Sequence, residues 1–252
     1  MAEVALYPWL VGAVLAVAVL VFVLLFWIDA PYGRHARTGW GPSLPGGLGW
    51  LLMEAPALFV FLFIYGLGRY RAELVPQVLL VLWCLHYGTR ATVDPFLRRT
   101  GGRPLPVVVV AMGASFNVLN AYLNARWISG LHRYPGGWLT EPWVVAGLVL
   151  FLVGWGLNQH SDGVLRRLRA PGESGYRIPH GGLHRWVASP NYLAEIVEWG
   201  GWALATASPA GLAFFVFSIA NLAPRARAHL RWYRSTFPDY PPGRRALIPG
   251  VW

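Results

Sequence analysis

Residues 9–28 read WLVGAVLAVAVLVFVLLFWI, twenty consecutive positions without a charge. At about 1.5 Å per residue such a helix crosses a hydrocarbon core of about 30 Å. The run does not read as a signal peptide: Glu3 makes the leader acidic, the apolar stretch is too long, and no small-residue cleavage site follows. Outward from it the pattern recurs. Further apolar stretches are expected at about 48–67, 75–96, 105–122, 143–157, 191–207 and 209–222. The expected fold is therefore all-α: a polytopic membrane protein, a bundle of seven transmembrane helices with cytosolic cofactor-binding loops. It forms a single domain over 1–252, with substrate-side spans in about 1–125 and a cofactor-binding part in about 140–252.

Composition agrees. Of 252 residues 56% are hydrophobic and only 13% charged, whereas soluble domains carry about a quarter charged residues. All 21 basic residues are arginine and the net charge is +10, which suits anionic lipid or an anionic ligand. Nucleic acid is the weaker reading, because the arginines lie between apolar spans and not along one soluble face. Sixteen of them fall in the loops after spans one, three and five and in the C-terminal segment, against four in the other loops. The bias puts the N-terminus outside and the C-terminus in the cytosol. The single cysteine, Cys84, excludes an internal disulfide and a cysteine metal cluster, and reads as a core thiol.

Glu54 lies in the second span. A charged carboxylate at bilayer depth costs several kcal/mol, so such groups face a partner or a cavity. Burial favours the protonated acid, and a neutral acid can donate a hydrogen bond to a carbonyl. An interfacial polar contact is its ordinary structural alternative. In span three Tyr87 offers a phenol, with Arg90 three residues on and on the same face. Alone, a tyrosine there is more often a packing residue. His86 points elsewhere and reads as a core histidine.

The densest polar segment runs from Asn158 to Trp199. It contains Arg166, Arg167, Arg169, Arg177 and Arg185 with Asn158, Asp162, Tyr176, Asn191, Glu195 and Glu198. Arginine forks suit phosphate. Asn158, Asp162 and Arg166 share a face if the fifth helix continues past its apolar part. The alternative is a solvated helix with snorkelling arginines; it accounts for the arginines but not for Asn158 and Asp162 beside an apolar run. Asn191 and Glu195 repeat the spacing behind Ser189-Pro190, where proline suits a first helical turn and the helix end suits an anion or amide. Glu195 and Glu198 share a face, and either could pair with an arginine. There is no Gly-x-Gly-x-x-Gly, no P-loop and no serine nucleophile motif. His180 and His184 are separated by two glycines, which disfavours a helical metal pair.

Taken together, Asn158-x-x-Ser161-Asp162, Leu165-Arg-Arg-Leu-Arg169, Gly175-Tyr-Arg-Ile-Pro179-x-Gly-Gly182, Asn191-Tyr-Leu-x-Glu195-Ile-x-Glu198-Trp199 and Asp239-Tyr-Pro-x-x-Arg-x-Ala-Leu-Ile-Pro249 resemble the 3-oxo-5-alpha-steroid 4-dehydrogenases, the steroid 5α-reductases. The chain looks like a bacterial member. The resemblance implies NADPH-dependent reduction of the 4,5 double bond of a 3-keto-Δ4 steroid in a bacterial inner membrane, by a monomer whose partners are a steroid or related lipid enone and membrane lipid. It puts the catalytic contacts to the 3-keto oxygen on Glu54 and Tyr87, with Met53 beside them in the substrate site. It puts NADPH contacts on Arg90, Arg103, Asn158, Asp162, Arg169, Tyr176, Arg177, Asn191, Glu195, His229 and Tyr233. No metal is implied. Met53 departs from the glutamine of vertebrate members and bears on steroid orientation. Two other classes compete: an isoprenylcysteine-type methyltransferase using S-adenosylmethionine, and a non-enzymatic lipid-binding or transport bundle.

Overall fold

A computed structural model of the chain describes residues 2–93, 104–168 and 175–252. Among them are seven α-helices: α1 (Ala2–Trp27), α2 (Gly46–Gly66), α3 (Leu74–Gly88), α4 (Val107–Arg126), α5 (Pro142–Arg167), α6 (Pro190–Thr206) and α7 (Pro209–Thr236). Each apolar stretch expected above lies largely within one of them. By length and composition four helical segments can cross a membrane: Glu3–Trp27, Gly46–Gly66, Val107–Leu131 and Pro142–Arg167. The other three helices differ for visible reasons. α3 passes into π geometry at Thr89–Val93, α6 has 17 residues, and α7 carries arginines through its second half.

Two helices run past their apolar parts. α5 continues ten residues beyond position 157 to Arg167, and α7 continues from 222 to Thr236. Alanine and arginine are good helix formers, so polarity alone does not end a helix. The segment 223–236, beyond the last expected apolar stretch, is therefore helical despite Pro224. Proline opens α5, α6 and α7 in the first turn, where its missing N–H costs nothing.

The helices pack in pairs: α5 on α6, α2 on α4, α1 on α7, and α6 on α7. Aromatic rings fill the common core. Phe61 stacks on Trp83 at 4.3 Å, and Trp199, Trp202, Phe151 and Phe214 close around them. Each buried indole N–H needs an acceptor; Trp83 donates to the Ala57 carbonyl and Trp202 to Asn124 Oδ1, both at 2.8 Å. A short antiparallel pair, β1 (Ser43–Leu44) with β2 (Leu105–Pro106), in register Ser43↔Pro106, ties the loops before α2 and α4. The loop before α6 is fastened to the C-terminal segment: Ala188 N–H donates to the Arg245 carbonyl at 2.8 Å and Arg245 N–H to the Trp186 carbonyl at 3.0 Å.

The α5–α6 contact depends on small residues. A Cβ on Gly201 would lie 2.4 Å from the Phe151 nitrogen, and one on Gly154 would lie 2.5 Å from the Glu198 nitrogen. Both obstacles are backbone, so only a shift of one helix can make room. Gly201→Ala is expected to lower stability by about 1–3 kcal/mol, read as a fall in thermal midpoint in detergent, whereas Gly156→Ala, where nothing lies within 4 Å, should leave the midpoint nearly unchanged.

Candidate functional site

The site gathers around the guanidinium of Arg90, at the π turn that follows α3. Its Nε lies 3.7 Å from Glu54 Oε1 on α2, its Nη1 3.9 Å from Asp162 Oδ2 on α5, and its Nη2 donates to Glu195 Oε2 on α6 at 3.3 Å. The ring of Trp50 covers one face, 5.0 Å from the guanidinium carbon. Four helical segments thus meet at one cation. A carboxylate removed from water is tolerable only with such a partner.

Glu54 is buried, and Asn117 on α4 donates to its Oε2 at 3.3 Å and to the Met53 carbonyl at 2.8 Å. The adjacent Met53 side chain turns away and fills a notch at Gly113, against Leu105 and Val110. Tyr87 is buried with its ring against Trp83 and His86, centroids 4.8 Å apart in both cases. Asn158 donates to the Asn191 carbonyl at 2.9 Å, and the Asn191 amide donates to Asp162 Oδ1 at 3.0 Å. The helical spacing Asn158–Asp162 thus fastens α5 to the first turn of α6.

Beside this cluster opens a cavity of about 260 Å³. Arg90, Asp162, Tyr176, Asn191 and His229 of the expected cofactor set line it. Arg225, which donates to the Tyr192 hydroxyl at 2.9 Å, is held between the Tyr32 and Tyr192 rings at 5.0 and 5.1 Å. Arg34 lies over Tyr233, Trp232 and Tyr176 at 4.6, 5.0 and 5.4 Å. His229 contacts the Ser189 hydroxyl at 3.1 Å and stacks on His35 at 5.5 Å. Burial, with Arg34 and Arg225 nearby, holds His229 well below the usual histidine range.

Other expected residues stand elsewhere. Glu54, Tyr87, Asn158 and Glu195 lie behind the cavity wall and not on its lining. Tyr233 is buried, stacked on Tyr240 at 5.0 Å, and supports Arg34 from below. Arg177 is exposed. Arg103 and Arg169 lie outside the described residues. The lining also includes Tyr32, Arg34, His35, Trp50, Tyr192 and Arg225, none of them in the expected set. Their signal in the sequence is faint: an arginine beside an aromatic in the first loop, and an arginine early in the final basic segment.

Comparison with known proteins now bears on this arrangement. Residues 103–252 match the family model described as 3-oxo-5-alpha-steroid 4-dehydrogenase. The chain belongs to that family. It is 40% identical over 238 residues to 3-oxo-5-alpha-steroid 4-dehydrogenase 1 of Bos taurus, which covers 93% of this chain and 92% of the relative. It is 41% identical over 244 residues to steroid 5-alpha-reductase DET2 of Gossypium hirsutum, covering 94% and 93%. The Homo sapiens 3-oxo-5-alpha-steroid 4-dehydrogenase 1 is 39% identical over 228 residues, covering 88% and 86%. The family match takes in the α5–α6 clasp and the His229 wall, and the relatives extend the likeness across most of the chain.

His184, in the short 3₁₀ turn Gly182–Arg185 ahead of α6, gives the site's surroundings a pH dependence. Burial lowers its pKa from 6.5 to about 4, although its Nε2 lies 3.4 Å from the Ser161 carbonyl. Unfolded, it takes a proton below pH 6.5; folded, it resists until about pH 4. Its contribution to stability is therefore complete above pH 6.5 and is lost as pH falls towards 4. The slope from this residue is at most about 1.4 kcal/mol per pH unit. Thermal midpoints measured from pH 7 to 4.5 should fall less steeply in His184→Gln than in the parent.

Proposed function

We propose that this protein is a membrane-embedded oxidoreductase that reduces the 4,5 double bond of 3-keto-Δ4 steroids, or a related lipid enone, with NADPH as hydride donor. The observation that carries the reading is the arrangement around Arg90. A buried acid on α2 and a charged, aromatic-lined cavity are joined through one guanidinium, with the buried phenol of Tyr87 three residues before it on α3. Family membership supports the same reaction class.

The donor set of the cavity fits a dinucleotide phosphate. Arg34, Arg90, Arg166 and Arg225 bring positive charge, and Tyr32, Trp50, Tyr176 and Tyr192 bring ring faces. Arginine forks match phosphate oxygens, and flat rings match a base or nicotinamide. A carboxylate would repel phosphate, so Asp162 and Glu195 suit hydroxyl or amide groups of the same cofactor. In this reading Arg90, Asn158, Asp162, Tyr176, Arg177, Asn191, Glu195, His229 and Tyr233 hold NADPH or support the residues that do, together with Arg103 and Arg169. When bound, NADPH supplies the hydride that arrives at C5 of the steroid.

The chain's own residues supply the rest. Tyr87 and Glu54, the latter in its protonated form, donate hydrogen bonds to the 3-keto oxygen and stabilise the enolate-like charge as C5 is reduced. Arg90 and Asn117 hold the Glu54 carboxyl in place for that task. Met53 bears on steroid orientation through its packing at Gly113. The surrounding tryptophans exclude water, which strengthens each polar contact. A proton from water completes the reduction at C4.

All seven helices serve as transmembrane segments of a monomer in a bacterial inner membrane, N-terminus outside and C-terminus cytosolic. α7 extends into the cytosol beyond about residue 222, and the cavity faces the compartment that supplies NADPH. The substrate-side spans and the C-terminal cofactor part form one domain. A methyltransferase using S-adenosylmethionine is disfavoured because that donor carries no phosphate for the arginines to meet. A passive lipid-binding bundle leaves the cationic cavity without a task.

Protein purified in detergent is expected to oxidise NADPH with matching loss of the enone absorbance of a Δ4-3-ketosteroid. Binding of S-adenosylmethionine without binding of NADPH refutes the reading. In Glu54→Gln, kcat should fall by about 100-fold or more while NADPH affinity stays within about threefold. Collapse of cofactor affinity in that variant would mean that Glu54 is a structural residue.

A further inference from the structure

His86 and Glu198 form the most buried ionisable contact among the described residues. Glu198 Oε1 lies 2.7 Å from His86 Nδ1, and the side chains are 0% and 4% exposed. The other carboxyl oxygen, Glu198 Oε2, has no hydrogen-bond partner among the described residues. The surroundings are aromatic. The imidazole meets Trp199 edge to face at 4.6 Å and Tyr87 at 4.8 Å. As packing alone this is an expensive choice, since an apolar pair of similar volume would tie α3 to α6 without desolvating a carboxylate.

Its place in the fold suggests what the choice serves. His86, in the last turn of α3, and Arg90, in the π turn that follows, both reach α6, against the sequence expectation that His86 points elsewhere, and their partners Glu198 and Glu195 are three apart there. Two polar clasps result: Arg90–Glu195 at 3.3 Å beside the cavity, and His86–Glu198 at 2.7 Å in the dry core. Tyr87 lies between His86 and Arg90 in sequence, and its ring is walled by His86, Trp83 and Trp199. Resting on the reading that Tyr87 meets the ketone, we propose that the His86–Glu198 contact is a positioning pair that fixes the Tyr87 phenol for the reaction. The groups it acts among are Tyr87 from α3, Arg90 from the π turn that follows, Glu54 from α2 and Glu195 from α6.

The pair works through one hydrogen bond from the imidazole, and the chemistry of asparagine isolates it. An asparagine side-chain nitrogen stands as many bonds from the backbone as histidine Nδ1. His86→Asn can therefore keep a donor to Glu198, while His86→Ala cannot. At saturating NADPH, His86→Ala should lower kcat for a Δ4-3-ketosteroid by about tenfold or more with NADPH affinity within about threefold, and His86→Asn should recover most of the loss. In a Tyr87→Phe background the alanine change should cost less than about twofold further, because its effect passes through the phenol. Should His86→Ala not accumulate as folded protein, His86→Phe fills the volume without the donor and is read the same way. Parent-like turnover in the alanine or phenylalanine variant overturns the proposal. So does a loss that asparagine does not rescue, or one that adds in full to Tyr87→Phe. If Tyr87→Phe itself turns over like the parent, it is the assignment of the ketone contact that fails.

Discussion

A charge held inside an apolar bundle must be answered by another charge, and Arg90 meets that constraint with carboxylates from three helices at once. Remove it, and Asp162 and Glu195 are left without their shared cation in a medium that screens charge poorly, while the Glu54 carboxyl loses its neighbour. Repulsion between like charges there would act between α5 and α6. The guanidinium is suited to the position because its charge persists under all relevant conditions and its fork can address several acceptors in one plane. The fold can thus be described from this point outward: α2 brings Glu54, α5 brings Asp162, α6 brings Glu195, and Trp50 covers the remaining face.

Around that point the molecule divides into a close-packed side and an open one. On one side aromatic rings pack against one another, and the indoles of Trp83 and Trp202 find acceptors in the Ala57 carbonyl and Asn124. On the other, arginines and histidines surround an open cavity between the first loop, α6 and α7. The glycine contact between α5 and α6 joins the two regions. It lets α6 approach α5 closely enough for Asn158 to reach the Asn191 carbonyl, and the same close approach buries Glu198. Packing and the cavity are therefore one problem in this bundle: a helix displaced to admit a methyl group would also move Asp162 and Asn191 in the cavity wall.

Much of this was legible in the residues. Long uncharged runs identify the helices because bilayer thickness sets their length, and the four-residue step from Asn158 to Asp162 foretells the α5 extension. The continuation of α7 was not legible, since arginines after Pro224 carry no apolar period and read as tail. Nor were the partners of distant loops. Arg34 and Arg225 look like two more cytosolic arginines until folding brings both to one cavity. The His86–Glu198 contact, across 112 positions, leaves no local signature either. Periodicity reports which face of a helix is buried and says nothing about which other helix will meet it.

The same distinction governs how the site can be read chemically. Glu54 and Tyr87 are conspicuous in the sequence as polar groups at membrane depth, but alone they define only a place where a polar substrate atom could be met. On the proposed reading the cavity and its arginines give the chemistry a direction, because a phosphate-bearing ligand would lie with its anionic end towards the guanidiniums. Its reactive end would then face the aromatic core. Arg90 belongs to both regions. It lines the cavity and also touches the acid behind the cavity wall, so a ligand that draws on its charge necessarily alters the electrostatic surroundings of Glu54. On the proposed reading, in which a cofactor fills the cavity and Glu54 meets the ketone, the two are linked through this one side chain.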